Sequence, residues 1–390
     1  MDEHKKTAII FLLLVFLLKP TGLDFYFPTL NYVMNIFKLL AMIFVLFSYI
    51  IMIKQKKIEI NRFVLLLYAI EGISAIVCMA HKSSPYNVIV YWQSIISLIM
   101  SFECYDGDKF NYIKIFKKVL TFYILVNFGF ILINPECIST KLFLIGKKNM
   151  PILYIFPLIF LIYYNYVEKQ KFSVFDIVLL LISYISVFLT NSSTSIIACV
   201  LLLLYPASLL VKPVKNIIGK MHSKRILIVL LIIFVLIVVF GVQKYFSDII
   251  TLLFNKDITF SGRTNIWDKA IEYIIKNPFG YGWDHNILGV KSILVWENEI
   301  EISHAHNFIL NLAYKSGIIC SVIYVYLLFN ISKKIDENSS NKFNILFKVT
   351  FLVFLIITTF ESYSTNCACI FLLCYIMFYD KTYKRRKELQ

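Results

Sequence analysis

Two short runs concentrate the side chains that could hold an anion or move a proton. One is Ser261-Gly262-Arg263-Thr264 and the other is His304-Ala305-His306-Asn307. Arg263 carries a planar fork of donors that matches phosphate oxygens. It opens a helical pattern, and the unpaired N–H groups of a helix N-terminus attract anions, with Ser261 or Gly262 as the cap. The same arginine would equally reach the phosphates of lipid headgroups. An imidazole titrates near neutrality and suits general-base work, although many interfacial histidines only bond to backbone. The i, i+2 spacing places the rings of His304 and His306 on one face of a strand but on diverging faces of a helix. Zinc pairs on helices stand three or four residues apart, so no metal site is read here.

Three further polar elements could join them. Gly146-Lys147-Lys148-Asn149 offers two cations. Thr190-Asn191-Ser192-Ser193-Thr194-Ser195 is rich in hydroxyls, and Glu361-Ser362-Tyr363 supplies a carboxylate. Between the two main runs lies Asn277-Pro278-Phe279-Gly280-Tyr281-Gly282-Trp283, whose glycines permit a tight turn beside aromatic rings. Those rings suit stacking on sugars and suit a membrane interface equally well. Each element also reads as an ordinary polar turn.

The elements that must position these residues are membrane helices. The chain has 390 residues, of which 59% are hydrophobic, and about twelve apolar runs have the 17–25 residues needed to cross a bilayer. Backbone groups in lipid must be satisfied within their segment, so the fold class is all-α and polytopic. Lys and Arg alternate loop by loop, with more than twice as many on the side that holds both termini. That bias predicts cytoplasmic termini and an extracytoplasmic loop over 247–307 before the tenth span. Arg263 is then the one arginine on the outer side. Within the loop, residues 264–276 form an amphipathic helix with Trp267 at headgroup depth. One membrane domain over 1–390 is expected, without internal repeats. The net charge of +15 is spread over short loops, which makes it a topological signal and excludes a nucleic-acid footprint. The eight cysteines fall mostly inside spans, where they act as small apolar residues.

Ser261-Gly262-Arg263 followed by Trp267, Ala270, Pro278, Gly280 and Gly282 resembles the signature of the bacterial O-antigen ligase and O-antigen or capsule polymerase superfamily. His304-Ala305-His306-Asn307, with Leu310, Leu312 and Gly317, is similar to its second half. The resemblance is specific over Ser261–Gly317; elsewhere it rests on topology and on Gly146, Lys148, Asn149 and Glu361. It implies a C-type glycosyltransferase fold acting outside the plasma membrane of a bacterium on undecaprenyl-pyrophosphate-linked oligosaccharide. It further implies a catalytic role for His306 and pyrophosphate contact for Arg263. One departure is the stretch Ser192-Ser193-Thr194, where many members carry a second arginine; that contact is then either lost or supplied otherwise, as by Lys147 or Lys148.

The expectation is therefore a polymerase of lipid-linked repeat units, with His306 as base and Glu361 orienting it or binding the acceptor. Ser261, Trp267, His304, Asn149 and Asn307 would complete the substrate site. No nucleotide-sugar motif and no carboxylate metal cluster occurs, which fits a lipid donor used without cofactor or metal. The implied partners are the lipid-linked oligosaccharide, the bilayer, and the flippase and chain-length regulator of the same pathway. The rival functions are a ligase that passes the glycan to another acceptor and a flippase of the lipid-linked sugar. Transporters usually carry internal repeats and midplane charges, and here the charges inside spans (Lys38, Glu71, Lys315, Lys348) are scattered.

Overall fold

The computed structural model describes residues 3–105, 109–240, 242, 263–291, 299–337, 342–362 and 367–388. Its helices in the first half are α1 (Glu3–Leu17), α2 (Leu23–Tyr26), α3 (Pro28–Lys54), α4 (Arg62–Ala80), α5 (Tyr86–Cys104), α6 (Lys109–Ile133), α7 (Glu136–Thr140) and α8 (Ile152–Lys169). There follow α9 (Val174–Thr190), α10 (Ser193–Leu202), α11 (Leu204–Leu210), α12 (Lys212–Lys220) and α13 (Ser223–Phe240). The last group is α14 (Arg263–Lys276), α15 (Phe308–Ser316), α16 (Ile318–Glu337), α17 (Asn344–Phe360) and α18 (Cys367–Glu388).

Six of these described segments are long and apolar enough to cross a bilayer: α3, α4, α5, Asn111–Ile133 of α6, Ser193–Leu210 and α16. The pair α12–α13, bent by 79°, would make a seventh. Helices α9, α17 and Cys367–Tyr379 of α18 are apolar but shorter. The chain is an all-α, multi-pass membrane protein. Its burial pattern agrees: α5, α8, α17 and α18 carry densely buried faces, while α3 and α9 leave Phe44, Phe47, Leu181 and Phe188 exposed. Exposed apolar surface on that scale is what a helix offers to lipid tails.

The sequence reading needs three corrections. The apolar run from Phe308 to Ile331 is two helices, broken at Gly317, whose φ is 92°. The first apolar run, read from the sequence as one span over about 8–24, is a continuous helix only to Leu17. Two small antiparallel hairpins also interrupt the helical fold, Leu142–Phe143 with Gly146–Lys147 (β1, β2) and Ile287–Lys291 with Glu299–Ile302 (β3, β4). The strand Glu299-Ile300-Glu301-Ile302 alternates polar with apolar residues, which is the period-two signal of a strand.

Candidate active site

Glu361 is where the scattered polar runs meet. It caps the C-terminal end of α17 and is 3% exposed. Its Oε1 accepts from Arg263 Nη2 at 2.5 Å, Asn149 Nδ2 at 2.9 Å and Thr194 Oγ1 at 3.4 Å. Its Oε2 faces His306 Nδ1 at 3.3 Å. A buried carboxylate is tolerable only when paired and hydrogen-bonded, and here both oxygens are engaged. Because an ionised carboxylate can only accept, Nδ1 of His306 must carry the hydrogen. Its Nε2 is then left with the lone pair, the arrangement of a proton acceptor.

Each partner is itself held. Asn149 follows the β1–β2 hairpin, and its Oδ1 accepts from Ser192 Oγ at 2.8 Å. Ser192 caps α10, a helix that also carries Thr194. His306 stands in a bend between β4 and α15 with a φ of 49°, in the left-handed region. That turn brings the ring of His306 to 4.3 Å from the ring of His304. Two imidazoles that would diverge on a helix therefore lie side by side. Asn307 caps α15 by accepting from Leu310 N at 2.8 Å, and its amide donates to Thr359 O at 2.9 Å. The cap thus ties the histidine segment to the end of α17.

Arg263 is the first residue of α14. The amphipathic pattern holds, with Ile266, Trp267, Ala270 and Ile274 buried. Trp267, however, is 1% exposed and packs edge-on against Phe234, ring centres 5.5 Å apart. It anchors the helix, and its ring offers no face to headgroups or to a sugar. Ser261 lies outside the described residues. Lys147 is exposed and Lys148 half-buried beside Asn149.

A second polar cluster lies at the other end of α15. Tyr281 N donates to Tyr314 O at 3.0 Å and Gly282 N to Lys315 O at 2.9 Å. At Gly280, with φ 94°, a Cβ atom would come within 2.6 Å of Gly317 N. Two glycines let the backbones touch here, which accounts for the glycine-rich turn. Trp283 donates from Nε1 to Ser316 Oγ at 3.0 Å, and Lys315 Nζ donates to Trp283 O at 2.8 Å and to His285 O. His285 Nδ1 meets the Tyr314 hydroxyl.

The electrostatics separate the two neighbouring histidines. Burial foremost, then the charge of His306, drives His304 down to about 4 against the pull of Glu361, with Lys315 and Lys147 adding to the depression. That ring is neutral at pH 7. Burial acts to raise the Glu361 carboxyl, but the His306 hydrogen bond and the Arg263 charge outweigh it. Its pKa consequently lies below the ordinary value. Sequence reasoning offered Glu361 either as the group that orients His306 or as an acceptor ligand and named Arg263 and Asn149 apart from them; the fold gathers the other three around Glu361. It grouped Ser192 and Thr194 in a hydroxyl-rich turn without seeing that one reaches Asn149 and the other Glu361. Asn311, whose Oδ1 receives Ala305 N at 3.0 Å, was missed.

A buried carboxylate thus holds an arginine and a histidine together at the end of an apolar helix. Residues 177–325 match the family described as O-antigen ligase, within the O-antigen ligase and polymerase superfamily, whose members are glycosyltransferase-like enzymes. The matched stretch holds Ser192, Thr194, Arg263, His304 and His306, while Asn149 and Glu361 lie outside it and join through the fold. No curated protein and no solved structure matches the chain.

Proposed function

We propose that the protein polymerises undecaprenyl-pyrophosphate-linked repeat units into a surface polysaccharide at the outer face of a bacterial plasma membrane. The observation that carries this reading is Glu361 holding Arg263 on one oxygen and His306 on the other, beside a stretch that matches the O-antigen ligase family. In the reaction, an acceptor hydroxyl attacks the anomeric carbon of the donor glycan. The bond from that carbon to the phosphate oxygen breaks, and undecaprenyl pyrophosphate leaves with the electron pair. His306 Nε2 takes the hydroxyl proton, and Arg263, with Lys147 or Lys148, stabilises the departing diphosphate. Pyrophosphate is already a competent leaving group, so positioning, charge stabilisation and one base suffice. Asn149 and Asn307 keep the constellation in register, and His304 packs against the base.

The topology that supports this has about twelve spans and both termini in the cytoplasm, as in a C-type glycosyltransferase. It sends Asn149, Ser192, Arg263, His306 and Glu361 to one side of the membrane, and these residues do meet. The family description favours a second reading, a ligase that transfers the glycan once to another acceptor. Purified protein given one lipid-linked repeat unit, with no nucleotide sugar, separates the two. A ladder of lengthening glycans is expected of a polymerase. Unchanged monomeric units, extended only when a different acceptor is supplied, would favour the ligase.

A further inference from the structure

Four and five residues beyond Asn149, Leu153 and Tyr154 form part of the wall of a cavity of about 380 Å³. That volume falls within the range of small-molecule sites. Lys19, Asp24, Asn35, Lys38, Tyr86 and Asn87 supply its polar lining, and Trp283 closes one side. Neither Arg263 nor His306 lines it. Lys38 stands about 15 Å from the first residue of α3, one turn beyond Asn35 and just before the apolar run Leu39–Phe47. Lys19 is 9% exposed and shares Asp24 at 3.9 Å, while Asp24 is 54% exposed. Lys19 also donates to Asn31. Among the described residues Lys38 has no carboxylate partner, so the cavity holds two cations against one carboxylate.

An ionisable side chain in a membrane helix is costly and marks an ion or ligand path by default. The excess positive charge selects an anion, and two asparagine amides add neutral donors. The flanks select a lipid. Phe37 and Leu40 beside Lys38 are 45% and 54% exposed, an apolar strip along which an acyl or prenyl chain can lie while its head reaches inward. We propose that this cavity is a second site for a lipid-borne phosphate, held between Lys38 and Lys19 and distinct from the Glu361 centre. A polymerase consumes two lipid-linked molecules at once. That the natural occupant is the second, acceptor unit rests on the functional reading above; the phosphate site itself does not.

The test uses the full chain in nanodiscs of zwitterionic phosphatidylcholine, with bound lipid counted by native mass spectrometry. Undecaprenyl phosphate, phosphatidylglycerol and the uncharged alcohol undecaprenol are titrated separately. Lys38→Gln should weaken binding of a phosphate-bearing lipid by at least about tenfold, as loss of a charge-assisted contact implies. Lys38→Arg should stay close to the wild type, and Arg263→Ala should leave the Lys38-dependent component intact. Preference for undecaprenyl phosphate would assign the site to a substrate, and equal binding of phosphatidylglycerol would assign it to a membrane phospholipid. Undecaprenol binding as well as its phosphate, or unaltered binding in folded Lys38→Gln and Lys19→Gln, would overturn the proposal. Lysine-dependent binding without any glycan ladder would remove the polymerase reading and leave this site standing.

Discussion

Helix α15 has a polar cluster at each end, and the two are built in opposite ways. At its N-terminal end Glu361 gathers side chains from four different segments, and its two ionisable partners keep atoms to spare. Among the described residues His306 retains Nε2, and Arg263 uses one nitrogen of a guanidinium that has five donors. At its C-terminal end Lys315 donates to the carbonyls of Trp283 and His285, and His285 Nδ1 meets the Tyr314 hydroxyl. Both ends contain a histidine and a cation. His285 also keeps its Nε2, but only at the first end are the histidine and the cation oriented together by one buried carboxylate. Residue type does not distinguish the two clusters; the shared carboxylate at one end and the backbone carbonyls at the other do.

The largest expected contrast lies between the two histidines. His306→Ala should cut polymer formation by about 10²–10⁴-fold, the usual value of a general base, in protein that remains folded and inserted. His285→Ala should lower yield of folded protein while costing less than about tenfold in rate per folded molecule, within one ordinary hydrogen bond. Initial rates normalised to monodisperse protein check both, and similar losses in the two would erase the distinction. Next comes Arg263. Its alanine variant should lose about tenfold or more, since a charge-assisted contact is worth about 1.5–3 kcal/mol. Arg263→Lys should recover little, because a point charge cannot serve carboxylate and diphosphate from one planar group. A fully active lysine variant would reduce the arginine to a generic cation.

Gly280→Ala probes the other cluster. The backbone φ of 94° and the close approach of Gly317 N make any side chain strained, at about 1–3 kcal/mol. Thermal unfolding in detergent should therefore shift downward while the rate per folded molecule is kept; a lost rate with unchanged Tm would place the turn in the chemistry. The smallest effect is on pH. His304 is held at about 4 in the fold against 6.5 for the free group, so the unfolded chain binds more protons between those values. Stability then declines as pH falls through that window. The Glu361 contribution is complete above its ordinary value of 4.5 and is lost only as pH falls through the lower folded value. Tm measured from pH 7 to 4 should fall, and His304→Gln should flatten the decline. An equally steep decline in that variant would assign the sensitivity elsewhere.

Membrane class and helical character were legible in the sequence, because apolar run length and the distribution of lysine and arginine are local properties. Arg263 and His306 were legible because their neighbours form compact motifs. Their meeting with Glu361 was legible only as one of two roles open to that residue, which could orient His306 or bind the acceptor. Glu361 is 98 residues from Arg263, 55 from His306 and 212 from Asn149, and no spacing rule spans such separations. Trp267 matched an interfacial tryptophan by composition, but α13 covers it through Phe234. Gly317 sits inside an apolar run, and its role as a helix break depends on the Phe279 carbonyl lying 2.7 Å from where a Cβ would be. Lys38 looked like one scattered charge until the fold set Lys19, Asn35 and Asn87 around the same cavity.

The central claim is that Glu361 acts by fixing the tautomer of His306. Glu361→Gln keeps an oxygen that can accept from Arg263, Asn149 and Thr194. Its amide would instead donate to His306 Nδ1, moving the ring hydrogen to Nε2 and removing the lone pair that takes the proton. The most direct measurement is a double-mutant cycle of initial polymerisation rates for wild type, Glu361→Gln, His306→Ala and the pair. If the carboxylate works through the histidine, the double variant should fall within about threefold of His306→Ala alone. A double variant slowed by the full product of the two single losses would contradict the account, because the two residues would then act independently.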